Sequence, residues 1–159
     1  MDSSDAAAKA EKDRPAALNR CGMARAALLL GDKWTLLVVR EALYGVTRFD
    51  AMQANLGVPR TVLSDRLKRL VTAGVLTKRL YKEPGARARH RYVLTPMGVD
   101  LALPLMALMQ WGERHLSEDA NAPAAEIIER KTGAPLRVGL SREDGKPVAL
   151  GDAHFRVNT

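Results

Sequence analysis

Apolar residues along this chain recur first at helical spacing. In Leu18 to Leu30, Met23, Ala26, Ala27 and Leu30 share one side, and Gly31 is placed to end the helix. Asp32 then offers a short acceptor to the free N–H groups of the next first turn. The helix it opens runs to Gly45, with Trp34, Leu37, Val38 and Leu43 as its buried side. Thr47 with Asp50 three residues on matches a capping box. It predicts a short helix closed by Gly57, with Phe49, Met52 and Leu56 facing the core. In Gly57 to Val75, Val62, Leu63, Leu67, Leu70 and Val71 form one apolar stripe. Thr61, Ser64, Asp65 and Lys68 fall on the opposite face, with Arg60 at its N-terminal end. Pro59 suits a first helical position and Gly74 the residue past the end. The last two helices, joined by LGVP, have the length and turn of a helix-turn-helix.

After Gly74 the period changes. VLTKRLYKE and RHRYVLT alternate and predict two strands around a Pro-Gly turn carrying Arg87 and Arg89. A basic hairpin directly after a reading-type helix is the order of a winged helix. Thr95 caps a long helix, Pro96 to Leu116. Leu101, Leu105 and Leu108 line one side of it, while Leu103, Met106, Met109 and Trp111 lie elsewhere. A helix apolar on several sides needs several partners, and a second copy of the chain is the simplest extra one. Pro104 should bend it or delay its regular part. Beyond a polar linker, turn signals at Thr132-Gly133, Asp144-Gly145 and Gly151-Asp152 predict a small antiparallel sheet. Its apolar side would come from Ile127, Leu136, Val138, Leu140, Val148 and Phe155. Residues 124–131 fit either an extended or a helical segment.

The expected class is α+β: a mainly helical winged helix-turn-helix with a two-stranded wing, a long dimerisation helix and a small C-terminal antiparallel β extension. The expected organisation is a flexible tail at 1–17, a winged-helix and dimerisation domain at 18–117, and a linker with β-rich extension at 118–159.

Charge sharpens this picture. From Arg60 to Arg91 ten Lys or Arg stand against two acids, a net +8, while the whole chain carries +7. The excess is one local feature, and a concentrated cationic surface points to a polyanion. Aromatics at 4% are too few for a single-strand stacking platform. One cysteine excludes an intrachain disulfide framework and fits a reducing compartment. No apolar run is long enough to span a bilayer, and the N-terminal stretch lacks a signal-peptide core. A cytoplasmic protein without membrane contact is expected. Enzyme chemistry lacks its parts: His90, His115 and His154 are scattered, and no phosphate-binding glycine fingerprint occurs. No cofactor is expected.

The segment CGMARAALLLGDKWT, the Arg48-Phe49 pair, VLSDRL at Val62 to Leu67 and Gly74-Val75 occur in a characteristic order. YVLTPMG at Tyr92 to Gly98 and Trp111-Gly112 follow. In these motifs, over about residues 20 to 116, the chain resembles the HxlR family of bacterial transcriptional regulators, a branch of the MarR-like group. The resemblance implies a non-catalytic homodimer, held by its first and long last helices, that binds a pseudo-palindromic operator. Many members carry C-terminal cysteines that could hold a metal. Residues 120–159 have none, so no metal is expected.

In that reading the polar face of the 60–72 helix enters the major groove. Arg60 can grip a guanine bidentately, and Thr61 and Ser64 can reach base edges or phosphates. Lys68 contacts phosphate. Asp65 either accepts from cytosine or orients a neighbouring arginine. Arg66 and Arg69 can cover the helix seam with their stems. Arg87, Arg89 and His90 in the wing (84–91) meet the minor groove or its phosphates. Arg48 and Lys33, at helix starts, act as phosphate clamps. Control falls either to Cys21 or to a small hydrophobic effector near Trp111 and Met106. Arg20 and Arg25 would favour the Cys21 thiolate, while the residue type equally suits a small buried position. The rival reading is a winged helix for double-stranded RNA or protein contact.

Overall fold

The structure, a computed structural model, describes residues 20–82, 85, 87–117, 125–154 and 156. The tail expected at 1–17, Phe155 and parts of the linker and wing tip lie outside the described residues. The chain divides into two compact units, Met1–Val99 and Asp100–Thr159.

In the first unit, α1 (Gly22–Leu30), α2 (Lys33–Leu43), α3 (Phe49–Leu56) and α4 (Arg60–Thr72) precede β1 (Leu76–Tyr81) and β2 (Arg89–Leu94). The predicted stripe of α4 is the heart of the core. Leu63, Leu67 and Leu70 are fully buried, and truncating any one to Ala would cost about 2–5 kcal/mol. Met52 of α3, Val38, Val39 and Ala42 of α2, Val58, Val75 and Leu76 pack with them.

The buried face of α2 differs from the expected one. Thr35, Val38, Val39 and Ala42 face inward, while Trp34, Leu37 and Leu43 are half-buried. These four positions form a regular helical stripe. Hydropathy alone skips Thr35, whose hydroxyl is hidden by its bond to Asp32. α1 departs too: Met23, Ala26 and Ala27 are exposed, and Leu18, the expected start of the helix, lies outside the described residues.

Local chemistry explains the helix ends. The Asp32 carboxylate accepts from the Trp34 and Thr35 amides at 3.1 and 3.3 Å, as expected. The capping box at Thr47 does not form. Arg48 is the N-cap of α3 and makes no side-chain cap bond, while the Thr47 carbonyl accepts from the Tyr92 amide at 2.7 Å. Gly57 turns α3 toward α4 at φ 61°, a left-handed value that suits a residue without Cβ. Pro59 stands one position earlier than expected, as the N-cap, and its carbonyl takes the first bond of α4 from Leu63.

The wing is antiparallel, in register from Leu76 opposite Leu94 to Tyr81 opposite Arg89. At its base the Thr95 hydroxyl accepts from the Gly98 amide at 3.1 Å and donates to the Gly74 carbonyl. A Cβ on Gly98 would lie 2.2 Å from the Val75 carbonyl oxygen, so only glycine fits.

The helix expected over 96–116 is two: α5 (Pro96–Asp100) and α6 (Ala102–Leu116). Pro104 has no N–H for the Asp100 carbonyl and its ring crowds that group. Regular bonding resumes with the Leu105 amide on the Leu101 carbonyl at 3.1 Å.

In the second unit Gln110 of α6 ties down the C-terminal extension. Its amide donates to the Leu136 carbonyl at 3.2 Å and accepts from the Val138 amide at 3.0 Å. Ile128 bridges Pro135, so the described part of 124–131 is not helical. The predicted antiparallel sheet is present but minimal, β3 (Leu140–Ser141) against β4 (Pro147–Val148), followed by a 3-10 turn, Leu150–Asp152. Strands of two residues cannot cover an apolar layer. Ile127, Val138 and Val148 are half-buried, whereas Leu136 and Leu140 are exposed over nearly half their surface.

Candidate nucleic-acid interface

The polar face of α4 is open along its length. Arg60, Thr61, Ser64, Asp65 and Lys68 are all exposed, because the leucines opposite them hold the other side in the core. Arg60 sits at the first helical position, where the helix dipole disfavours a cation. Two contacts compensate. The Phe49 ring lies 4.7 Å from its guanidinium, and the Asp50 carboxylate lies 3.6 Å away.

Asp50 is the residue that sequence reasoning missed. Read as half of a capping box, it instead bridges the helix-turn-helix to the wing. Its second oxygen accepts from Arg89 of β2 at 3.0 Å. One carboxylate thus spaces two predicted DNA-contacting arginines. The pairs are mostly exposed, so they add little stability and chiefly fix direction. No periodic signal links position 50 to 60 and 89; only the acid's isolation among cations hints at it. An open concavity of about 530 Å³ lies here, between Phe49, Asp50 and Arg60 on one side and Tyr81, Arg89, His90 and Tyr92 on the other. Burial holds the Tyr92 hydroxyl above its usual pKa.

Arg87 and His90 are exposed on the wing. Arg48 packs its guanidinium 4.9 Å from the Tyr81 ring, and its backbone bridges Arg91. Lys33 lies 4.6 Å over the Trp34 ring.

Behind this surface, two polar ties set the angle of α4 and α3 on α2. Arg66 donates to Asp32 at 2.9 Å and also pairs with Asp65. The carboxylate of Asp65 is therefore engaged with its neighbour, and Arg66 is a tie rather than a cover for the seam. Burial pushes the Asp32 carboxyl up, but hydrogen bonds from Thr35 and Arg66 outweigh it and hold it below the ordinary value. Glu41 is buried and accepts from Asn55 of α3 at 2.7 Å and from Arg40 at 2.9 Å. Arg69 donates to the Leu28 carbonyl at 3.3 Å, joining α4 to α1.

The candidate control residues divide between the two units. Cys21 is exposed at the start of α1, not packed as a small core residue. Trp111 is 53% exposed, against His115 with ring centroids 5.5 Å apart. A concavity of about 230 Å³ in the second unit is lined by Met109, Gln110 and Ile127 among others, not by Met106 or Trp111. Among the described residues no group of three His, Cys, Asp or Glu could hold a metal, and no helix is long and apolar enough to cross a membrane.

Comparison with known proteins agrees with this geometry. The family model described as HxlR-like helix-turn-helix matches residues 29–120. Rv3095 of Mycobacterium tuberculosis, named as an HTH-type transcriptional regulator, is 43% identical over 99 residues, 62% of this chain. The match spans 61% of that relative's length. The crystal structure of PA1607, described as a candidate transcription factor, aligns with a TM-score of 0.74 at 32% identity, covering 87% of this chain and 96% of that one. PA1374 from Pseudomonas aeruginosa, similarly described, aligns with a TM-score of 0.59 at 32% identity, covering 87% and 92%. The chain belongs to the HxlR-like helix-turn-helix family of transcriptional regulators.

Proposed function

We propose that the protein is a cytoplasmic, homodimeric repressor that reads a pseudo-palindromic duplex operator. The observation that carries this reading is the pair of arginines held on one carboxylate. Arg60 opens the exposed face of α4, Arg89 lies on the wing, and Asp50 joins them. The reading helix and the wing thereby offer one cationic surface. α4 lies in the major groove, where Arg60 takes a guanine and Thr61 and Ser64 reach neighbouring edges or phosphates. Lys68, Arg48 and Lys33 contact phosphates. Arg87, Arg89 and His90 follow the minor groove. Asp65, engaged by Arg66, orients its neighbour.

Residues 18–117 act as the DNA-binding and dimerisation domain, with 118–159 as an extension. No residue of α6 is buried, and Leu103, Leu108, Trp111 and Leu116 are more than half exposed. Such a surface calls for a partner, and a second copy supplies it. Two reading helices about 34–36 Å apart then match one DNA turn. Binding is modulated through the exposed Cys21 thiol or by a small hydrophobic effector near Trp111 and Met106; loss of binding on diamide treatment singles out the thiol. The reading as a whole is tested by selecting bound duplexes from random DNA. A spaced inverted repeat supports it. Equal recovery of all sequences, or preference for double-stranded RNA, contradicts it.

A further inference from the structure

The register of the wing extends the cationic surface built on Arg60 and Arg89. Arg79 of β1 stands directly opposite Arg91 of β2, and Arg91 is bridged on its other side to Arg48. Residues directly opposite in an antiparallel pair project to the same side. The three arginines therefore form one rung across three extended segments. Arg89, two residues from Arg91, shares that face, and it is the residue Asp50 ties to Arg60. The rung continues the same cationic surface.

Like charges directly opposite destabilise a sheet. Among the described residues, none of the ion pairs includes Arg79 or Arg91, and both side chains are exposed. The wing thus accepts an internal repulsion that a row of anions would relieve. The rung spans about 10 Å, two inter-strand spacings. A DNA strand carries one charge per roughly 3.4 Å of axis, so a row of this length faces more than one phosphate.

We infer that Arg48, Arg91 and Arg79 form a backbone-phosphate site for duplex DNA, supplying affinity that is independent of sequence. The inference rests on the proposed function and adds Arg79 and Arg91 to its binding surface.

The test measures binding of the full chain to a labelled mixed-sequence duplex of about 40 base pairs over about 50–300 mM NaCl. Arg79→Ala/Arg91→Ala makes the slope of log affinity against log salt shallower by about 2 per bound protomer. Arg130→Ala/Lys131→Ala removes the same charge from exposed positions in the second unit and leaves the slope as in wild type. Arg79→Lys/Arg91→Lys, which keeps both charges, also retains the slope. Removing the opposed cations leaves the thermal midpoint no lower than wild type, which separates lost binding from lost folding. If the two alanine pairs give the same slope while wild type binds, the rung is overturned and the proposed function stands. If wild type binds no duplex at low salt, both fall.

Discussion

Arg66 and Asp32, 34 positions apart, meet at 2.9 Å, so the carboxylate that caps α2 also anchors α4. One side chain thus starts a helix and sets the angle of the reading helix. Asp32→Ala removes the cap and the tie together and should cost at least the roughly 0.5–2 kcal/mol of a lost cap. Asp32→Asn can keep the cap and loses only the ionic tie. Urea unfolding of both variants should rank Ala below Asn below wild type.

The same carboxylate gives a pH prediction. Its folded pKa is depressed below 3.8. A depressed acid stabilises fully above its unfolded pKa, and the gain is lost as pH falls through the folded value. The stability gap between wild type and Asp32→Asn should be constant near neutrality and shrink below about pH 3.8. Thermal midpoints measured from pH 7 downward check this; a gap that widens in acid would contradict it.

Glu41 is a buried carboxylate whose neutral donor is Asn55. Asn55→Ala leaves that oxygen without its partner and should cost about 1–3 kcal/mol. Asn55 is itself exposed, so a loss of this size separates the hydrogen bond from ordinary surface truncation, which stays within about 0.5 kcal/mol.

How far the sequence could be read follows from the range of each interaction. The stripe of α4 was legible because Leu63, Leu67 and Leu70 repeat at the helical period and all reach the core. Asp32 was legible as a cap because a short acceptor stands directly before an apolar run. The inward face of α2 was not, since Thr35 is hidden by a hydrogen bond that no hydropathy scale records. Asp50 fits the nearest available pattern, a capping box, while its partners are Arg60 and Arg89. The pairing with Arg89, 39 residues on, exists only once the wing has folded back beside α3. Pro104 correctly flagged a disturbance in the last helix, but the break falls at Leu101, near the carbonyl its ring displaces.

Leu108 and Trp111 lie exposed on α6. Leu108→Arg should shift the protein from dimer to monomer in sedimentation, with little change in its circular dichroism. Operator affinity should then fall sharply, because two linked half-sites become two separate weak ones.

The most direct test of the account compares Arg60→Ala and Arg89→Ala on the selected operator and on a scrambled duplex of equal length. Arg60→Ala should reduce the preference for the operator by about 5- to 150-fold per half-site, the worth of one bidentate guanine contact. Arg89→Ala should weaken both duplexes alike. Equal losses on both duplexes from both variants would contradict the claim that the α4 face reads bases while the wing holds the backbone.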